Sequence, residues 1–416
     1  MNIYVETYGC TANKSDEHLV LGLLKSEGHE IVHNLTEADV LVLLTCTVIG
    51  TTEQRMLSRL KVFQKTHKKI IVTGCMPVVQ PDLIMAVAPD AFLLPPQYTK
   101  YITTIIQNNE PVFLEMKKTM LPRVYNEVIA PIMIAEGCTS SCTYCITHFA
   151  RGALRSFPIQ EITADVSSAI TQGCKEIQLT AQDTASYGLD INTNLGALLT
   201  HLCKLDGSFR VRVGMMNPTT AQKNIESILT AYQHHKIYKF LHLPVQSGDN
   251  EILKKMKRGY TTNNFTNLIE QFRKKIPTLT LSTDVIIGFP TETEEQFCRT
   301  IELLKQIKPD IINITRFSAR PLTVAKNMNG RIPTNVVKER SKQLTEICSK
   351  ISLEKNQKHL GKTYVVLVTE KGKQKTFKGR SENYKQVVLT EKVTIGDFVR
   401  VKIIDTAPTY LVGKLI

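Results

Sequence analysis

The chain has 416 residues, of which 42% are apolar, so it is long enough for two or three domains with sizeable cores. It carries a formal net charge of +14 and has no uninterrupted apolar stretch of the roughly 20 residues that span a bilayer, which argues against a membrane protein. Its opening residues lack the basic and apolar segments of a signal peptide, so a reducing cytoplasmic location is expected. In that compartment the ten cysteines are better explained by metal ligation than by disulfides.

The first part of the chain alternates between short apolar stretches and helical stretches. Strands are predicted over IYVETYGC, VLVLLTC, KIIVTGC and AFLLP, with helices between them. The first helix is predicted over SDEHLVLGLLKSEG, with Ser15 as its N-cap and Gly28 at its end. Near-continuous apolar strands separated by helices predict an α/β fold with a doubly wound parallel sheet. We place this N-terminal domain at residues 1–112.

A second alternation of strands and helices begins near residue 130. Six strands are predicted over PIMIAEGC, EIQLTAQD, RVRVGMM, KFLHLPVQ, LTLSTDVIIGFP and IINITRFSARP. Six β-α units of this spacing predict a partial (βα)6 barrel, which carries its chemistry at the C-terminal ends of the strands. A long polar helix near residues 335–360 is predicted to follow, so the central domain with this linker helix is placed at residues 125–355.

The last part of the chain changes to short alternating strands, predicted over TYVVLVTE, KTFKGR, YKQVVLT, DFVRVKII and TYLVGKLI. Five such strands predict a small all-β barrel at residues 356–416. From Arg331 to Ile416 there are 18 Lys and Arg against 8 Asp and Glu, a net charge of +10. This local excess indicates a polyanion partner such as RNA, although a surface charged only for solubility is equally compatible. The candidate RNA contacts lie on one predicted hairpin: Lys371, Lys373, Lys375, Lys378 and Arg380.

One short motif indicates specific chemistry. The stretch EGCTSSCTYC places Cys138, Cys142 and Cys145 in a Cys-x3-Cys-x2-Cys pattern at the end of the first barrel strand. Three thiolates leave one position of a four-coordinate metal centre open, and an open position is typical of a reactive metal. A structural zinc site completed by His148 is the alternative that the residues themselves leave open.

Three further cysteines show no motif spacing, but each lies at the same place relative to a predicted strand. Cys10, Cys46 and Cys75 each stand at or just after the C-terminal end of a predicted parallel strand. The ends of adjacent parallel strands meet at one crevice, so these thiols are predicted to meet in space. Ordinary burial is the alternative, because free cysteine is often buried.

The pattern Cys-x3-Cys-x-aromatic-Cys, with Tyr144 as the aromatic residue, resembles that of the radical S-adenosylmethionine (SAM) enzymes. In that superfamily the three cysteines bind a [4Fe–4S] cluster whose open iron binds SAM, and reductive cleavage of SAM yields a 5′-deoxyadenosyl radical. The resemblance implies that Cys138, Cys142 and Cys145 are the catalytic cluster ligands. It also implies SAM contacts by Tyr144 and by residues of the motifs QLTAQDT, LHLPVQSGD and DVIIGFPTETEEQF, namely Gln182, Gln246 and Gly288.

We call the stretch with Cys138, Cys142 and Cys145 the radical motif. The chain resembles the methylthiotransferases over essentially its whole length, because it has in the same order the stretches YGCTANKSD, TCTV and TGC and then the radical motif. Its C-terminal barrel is similar to the TRAM RNA-binding domain. In that family the three N-terminal cysteines hold a second [4Fe–4S] cluster, which the resemblance places on Cys10, Cys46 and Cys75. The stretches CTYCITHFARGALRSF and EIQLTAQDTASYG most resemble the branch acting on threonylcarbamoyladenosine of tRNA, in its archaeal or bacterial form without a membrane tail. Thr291 departs from the family pattern, which usually has Gly at this position.

The resemblance implies a radical SAM transferase that converts N6-threonylcarbamoyladenosine at position 37, beside the anticodon of tRNA, into its 2-methylthio derivative. The C–H bond at carbon 2 of adenine cannot usefully be broken by a general base near neutral pH, which explains the need for a radical. We expect a low-potential electron donor such as flavodoxin or ferredoxin, and a monomeric, cytoplasmic enzyme. The alternatives are a methylthiotransferase for isopentenyladenosine tRNA or a ribosomal protein, and a non-enzymatic RNA-binding protein with structural metal sites.

Overall fold

The computed structural model describes residues 1–107, 118–125 and 128–416. The N-terminal region is a parallel sheet of five strands, β1 (Asn2–Thr7), β2 (Glu30–Val32), β3 (Val40–Thr45), β4 (Lys69–Gly74) and β5 (Phe92–Leu94), in the spatial order β2-β1-β3-β4-β5. Its helices are α1 (Thr11–Ser26), α2 (Gly50–Gln64), α3 (Met76–Val79), α4 (Pro81–Met85), a 3₁₀ helix (Pro96–Tyr101) and α5 (Ile102–Ile106). The predicted end of this domain at residue 112 lies outside the described residues.

Helices cover both faces of this sheet, because the strands are apolar on both sides. On β3, Leu41 and Leu43 pack with residues of α2 in one core cluster. The alternate residues Val40, Val42 and Leu44 pack with residues of α1 and α5 in another cluster. Successive side chains of a strand point to opposite faces, so a fully buried strand needs a helical layer on each side. This arrangement confirms the predicted doubly wound parallel sheet.

The first helix begins earlier than the sequence predicts. Cys10 occupies the N-cap position of α1, and Ser15 is buried inside the helix, so the prediction of Ser15 as N-cap is wrong. Asn13 explains the early start, because its Nδ2 donates to the carbonyl oxygens of Tyr8 at 2.7 Å and Thr45 at 2.8 Å. These bonds hold the first helical turn against the ends of β1 and β3.

The strands of the central region are β6 (Ile129–Met133), β7 (Ala135–Glu136), β8 (Arg155–Ser156), β9 (Glu176–Thr180), β10 (Arg210–Val213), β11 (Phe240–His242), β12 (Thr280–Ile287) and β13 (Ile311–Arg316). Six of them are parallel and form two groups of three, ordered β10-β9-β6 and β11-β12-β13, whereas β7 and β8 form a short antiparallel pair. The helices are α6 (Thr147–Arg151), α7 (Ile159–Thr171), α8 (Leu195–Cys203), α9 (Pro218–Lys223), α10 (Ile225–Tyr232), α11 (Asn250–Lys255), α12 (Thr262–Lys275), α13 (Glu294–Ile307) and two 3₁₀ helices (Thr184–Ser186 and Val324–Asn327). A parallel bridge between Val211 and Ile237 links the two groups. The fold confirms the predicted partial (βα)6 barrel.

Alternation along the barrel strands separates a core face from an inner face. Ile177, Leu179 and Val211 are fully buried in the core cluster that includes the surrounding helices. The intervening side chains of β9 and β10, among them Gln178 and Arg212, therefore point to the inner face of the barrel. The inner face carries the polar groups that matter for the site described below.

The C-terminal region is a closed five-stranded barrel that follows a long helix, α14 (Thr334–Gln357). Its strands are β14 (Thr363–Lys371), β15 (Phe377–Ser381), β16 (Gln386–Leu389), β17 (Phe398–Thr406) and β18 (Leu411–Leu415), ordered β14-β15-β16-β18-β17. This barrel confirms the predicted all-β unit. Among the described residues, no helix combines the length and the apolar character needed to cross a membrane.

Candidate active site

Three cysteines of the N-terminal sheet lie at the ends of three neighbouring strands. Cys10 follows β1, Cys46 follows β3 directly and Cys75 follows β4 directly, and these strands are adjacent in the sheet. All three residues line one cavity; Cys46 and Cys75 are buried, whereas Cys10 is exposed. The structure thus brings together the three thiols that the strand pattern predicted to meet.

Two glycines allow these strand ends to approach one another. Gly9 has a φ of +117°, and a Cβ at this position would lie 2.8 Å from the Cβ of Cys46. Gly74 has a φ of +86°, and its Cβ would lie 2.4 Å from the carbonyl oxygen of Thr45. A side chain at either position would both strain the left-handed backbone and clash with its neighbour. The Gly-Cys pairs of the sequence are therefore required for this close packing.

The radical motif lines the same cavity. Its loop carries Cys138, Cys142 and Cys145 and follows β7. The backbone N–H of Ser140 donates to the Sγ of Cys138 at 3.3 Å. Nη1 of Arg258 donates to the Sγ of Cys142 at 3.1 Å, and the guanidinium is almost fully buried. Two cysteine sets, distant in sequence, therefore face one enclosed space.

Three of the four predicted SAM contacts also line this cavity. They are Tyr144, Gln182 and Gln246. Oε1 of Gln182 accepts a hydrogen bond from the backbone N–H of Gly137 at 2.7 Å, directly before the cysteine motif. Gln182 therefore helps to hold the motif in place, in addition to facing the cavity.

Gly288 is the predicted SAM contact that the structure does not bring to the cavity wall. It follows β12, and its N–H donates to Oε2 of Glu292 at 2.8 Å. A Cβ at Gly288 would lie 2.5 Å from a methyl carbon of Val337 on α14. The glycine therefore permits close packing of α14 against the barrel.

The cavity is large enough for more than a single ion, and its donors suit iron–sulfur clusters. It encloses about 1340 Å³ when its open mouth is included. Among the described residues, no three His, Cys, Asp or Glu side chains converge closely enough to hold a single metal ion. In a [4Fe–4S] cluster each thiolate binds a different iron, so the sulfurs are farther apart than around one ion. Two sets of three thiols in one cavity fit two such clusters.

Burial raises the pKa of two N-terminal thiols, those of Cys46 and Cys75. Burial, reinforced by the neighbouring thiols of Cys10 and Cys75, raises the pKa of Cys46 to about 11. Burial also raises the pKa of Cys75, although the guanidinium of Arg151 opposes this shift. Because thiolates are the metal ligands, these two thiols must lose protons when they bind iron.

A buried ionic network that the sequence did not reveal joins the N-terminal sheet to the barrel. We call it the Arg151 network; its members are Asp16, Lys118, Glu136 and Arg151, all at most 3% exposed. Nζ of Lys118 lies 2.9 Å from a carboxylate oxygen of Asp16 and of Glu136. Nη1 of Arg151 lies 2.8 Å from Asp16 and 2.7 Å from Glu136. Two cations thus face two carboxylates between the cysteine sets.

A second buried network, the Arg320 network, forms a further connection. Nη2 of Arg320 forms an ion pair with Glu53 and donates to Oε1 of Gln80 at 2.9 Å and to Oγ1 of Thr47 at 3.2 Å. Thr47 directly follows Cys46, so this network holds the loop of that cysteine. Sequence reasoning missed both networks, because their partners are far apart in the chain and form no local motif.

The predicted RNA contacts lie on the hairpin formed by β14 and β15, as expected. Lys371, Lys373 and Lys375 are exposed. Lys378 lies 3.3 Å from Glu370 in an ion pair, and the guanidinium of Arg380 lies 5.0 Å from the centre of the Tyr384 ring. The exposed lysines are therefore the members of the set best placed for phosphate contacts.

Comparison with known proteins first defines the class. Residues 2–94 match the family described as "Uncharacterized protein family UPF0004", residues 132–304 match the radical SAM superfamily, and residues 357–416 match the TRAM domain. A solved structure of the radical SAM methyltransferase TsrM from Kitasatospora setae shares the fold, with a TM-score of 0.60 over 78% of this chain and 76% of that chain, at 11% identity. The fold and the cysteine-lined cavity are those of a radical SAM enzyme.

Full-length relatives define the family more narrowly. A probable threonylcarbamoyladenosine tRNA methylthiotransferase from Pyrococcus abyssi is 43% identical over 100% of this chain and 99% of its own length. A relative of the same name from Archaeoglobus fulgidus is 40% identical over 100% and 99%. The human threonylcarbamoyladenosine tRNA methylthiotransferase is 32% identical over 99% of this chain and 73% of its own length. The chain belongs to the threonylcarbamoyladenosine tRNA methylthiotransferase family.

Proposed function

We propose that this protein converts N6-threonylcarbamoyladenosine at position 37 of tRNA into its 2-methylthio derivative. The observation that carries the proposal is the convergence of two three-cysteine sets on one cavity, in a chain that belongs to this family. Adding a methylthio group to an unactivated aromatic carbon requires both a radical and a sulfur donor. A cavity that can hold two iron–sulfur clusters meets both requirements, whereas a simple RNA-binding protein needs neither.

The protein's own residues would bind and orient the groups that react. Cys138, Cys142 and Cys145 would hold the [4Fe–4S] cluster that binds SAM, and the three N-terminal cysteines would hold the second cluster. When bound, these cofactors supply one-electron reduction, radical formation from SAM and a sulfur donor. Arg258 places a positively charged hydrogen-bond donor beside the Cys142 sulfur, where it would orient that cluster ligand. The two buried networks join the N-terminal domain to the barrel and would hold the two cysteine sets at one cavity.

The remaining parts of the proposal concern partners and location. Exposed lysines of the TRAM hairpin, with Arg380, would neutralise tRNA phosphates. A low-potential donor such as flavodoxin or ferredoxin would supply the electron, and the enzyme would act as a monomer in the cytoplasm. We divide the chain into an N-terminal domain (1–112), a central domain with its linker helix (125–355) and the TRAM domain (356–416).

Nucleoside analysis of tRNA tests the reaction and the substrate together. Mass spectrometry of tRNA from cells with and without this gene should show loss of the 2-methylthio product and accumulation of N6-threonylcarbamoyladenosine in the deletion strain. Reintroduction of the gene is the control. Persistence of the product without the gene, or loss of a 2-methylthio-isopentenyl nucleoside instead, would reject the proposal.

A cysteine variant tests the division of labour between the clusters. Cys10→Ala is expected to abolish methylthiolation but to retain reductive cleavage of SAM, because the other cysteine set is intact. Reconstituted wild-type protein should bind about eight irons per chain, since each of two clusters contains four. Cys298→Ala is the matched control, because Cys298 is an exposed cysteine that does not line the cavity. Full product formation by Cys10→Ala would show that the N-terminal set is not needed for sulfur transfer.

A further inference from the structure

One cationic side chain in the cavity has no hydrogen-bond or ion-pair partner among the residues that the structure describes. Arg212 lies on β10 and lines the cavity. Its guanidinium carbon lies 5.3 Å from the centre of the Phe240 ring and 5.7 Å from that of the Tyr384 ring. The side chain of Arg212 forms no hydrogen bond or ion pair with any residue that the structure describes, and its Nε is buried. A guanidinium carries five N–H donors, and no described residue accepts a hydrogen bond from that of Arg212.

The other arginines of the cavity are already engaged. Arg151 is paired with Asp16 and Glu136 in its network. Arg258 donates to the sulfur of Cys142 and to the hydroxyl of Tyr260. An unpaired, half-buried guanidinium loses hydration without gaining a partner, so its presence in a ligand cavity indicates that a bound molecule supplies the negative charge.

Tyr384, a residue of the TRAM barrel, packs its ring against the guanidinium of Arg212. Tyr384 lies in the turn between β15 and β16 with a φ of +64°. Its hydroxyl donates to Oε1 of Glu176 at 2.9 Å and accepts a bond from Nε2 of Gln178 at 3.2 Å, both on the inner face of the central barrel. Its ring centre lies 4.8 Å from that of Phe240. The two rings form a fixed support against which the guanidinium rests.

We propose that Arg212 binds a carboxylate in the cavity and that Tyr384 is a positioning residue that keeps its guanidinium there. The inference rests on the proposed function, because both reactants then carry the required group. SAM has an α-carboxylate, and the threonylcarbamoyl side chain of the substrate ends in a carboxylate. The planar guanidinium can bind either in a bidentate manner. The TRAM domain would thus contribute to the reaction site as well as to RNA binding.

Paired ligands with and without the carboxylate test the role of Arg212. Dissociation constants would be measured for SAM against decarboxylated SAM, and for an anticodon stem-loop containing threonylcarbamoyladenosine against its carboxyl methyl ester. Arg212→Gln is expected to weaken binding of one carboxylate ligand about 10- to 100-fold, while binding of the analogue that lacks this carboxylate does not weaken. A change in the SAM pair assigns the site to the cosubstrate; a change in the RNA pair assigns it to the substrate.

The matched control is Arg210→Gln. Arg210 lies on the same strand, but its guanidinium lies 5.1 Å from the Phe398 ring and it does not line the cavity. Undiminished affinity for the analogue that lacks the carboxylate shows that the Arg212 variant is folded. If Arg212→Gln leaves the preference for the carboxylate form unchanged in both pairs, the assignment of Arg212 is overturned. A wild-type protein that binds neither SAM nor the stem-loop would overturn the proposed function and this inference with it.

The role of Tyr384 has its own readout. Tyr384→Ala removes the ring and is expected to reduce the carboxylate preference several-fold in the same ligand pair that Arg212→Gln affects. Tyr384→Phe keeps the ring and should retain the preference. If Tyr384 served only to attach the TRAM barrel, Tyr384→Ala would weaken both members of each pair equally. That result would overturn the positioning role while leaving the role of Arg212 in place.

Discussion

Replacing Glu136 with glutamine would unbalance the Arg151 network at the junction between the two cysteine sets. Glu136 lies two residues before Cys138, and its carboxylate faces Lys118 and Arg151 in the protein interior. The substitution keeps the shape of the side chain but leaves two cations against the single carboxylate of Asp16. We expect a loss of stability and a looser attachment of the N-terminal sheet.

The expected magnitude follows from the electrostatics of this carboxylate. Burial alone would raise the pKa of Glu136, but Lys118 and Arg151 lower it from 4.5 to about 2. A shift of this size corresponds to about 3 kcal/mol, similar to the roughly 3–5 kcal/mol lost when one partner of a buried ion pair is removed. We therefore expect Glu136→Gln to lower the free energy of unfolding by about 3 kcal/mol at neutral pH.

The same shift sets the pH dependence. Because the pKa of Glu136 is lower in the folded than in the unfolded protein, its stabilisation is fully present above the unfolded value of 4.5. It is lost as the pH falls through the folded value of about 2. The stability difference between wild type and Glu136→Gln should therefore shrink as the pH is lowered below 4.5.

Urea unfolding of the metal-free protein measures these effects. The midpoint of the first transition is compared, because a chain of several domains need not unfold in one step. Glu136→Gln and Lys118→Met should each lower this midpoint, and the double variant should recover much of the loss, because one carboxylate then faces one arginine. Glu354→Gln is the control, since it breaks an exposed pair with Lys308 that contributes less than about 1 kcal/mol. An unchanged midpoint for Glu136→Gln, or simple addition of the two single effects, would refute the reasoning.

Three further predictions follow from other contacts. Thr291 has a φ of +70°, where a β-branched residue is strained. Thr291→Gly should therefore raise the free energy of unfolding in urea by about 1 kcal/mol relative to Thr291→Ala. A glycine variant less stable than the alanine variant would contradict this prediction. Arg258→Gln should make the reduction potential of a cluster bound at Cys142 more negative, because the positive charge of Arg258 favours the reduced state. The potential is measured by potentiometric titration with electron paramagnetic resonance as the readout, and an unchanged potential would contradict the prediction. Combined replacement of Lys373 and Lys375 by Ser should reduce the salt dependence of tRNA binding by about 1.5 in log–log slope, and an identical slope would count against their contact with phosphate.

The fold could be predicted largely from local patterns. Apolar strands alternating with helices indicate parallel sheets, because each strand must be covered on both faces. The same reasoning located Cys10, Cys46 and Cys75 at strand ends, and the neighbouring positions of β1, β3 and β4 bring them together. Spacing and a place after a barrel strand singled out Cys138, Cys142 and Cys145 as metal ligands, whereas the radical chemistry followed from the family resemblance. These features depend on residues close in sequence or on a repeating topology.

Other features became visible only in the tertiary structure. Arg151 and Arg320 read as ordinary basic residues until the folded chain brings distant carboxylates against them. Tyr384 belongs to a small terminal barrel, yet its ring lies on the inner face of the central one, beside Arg212. No periodicity or spacing encodes such pairs, because their partners are separated by more of the chain than any local pattern covers. The sequence by itself determined the class of fold and the two thiol sets. Only three-dimensional packing brought buried carboxylates against Arg151 and Arg320 and placed Arg212 in the cavity with no hydrogen-bond or ion-pair partner among the described residues.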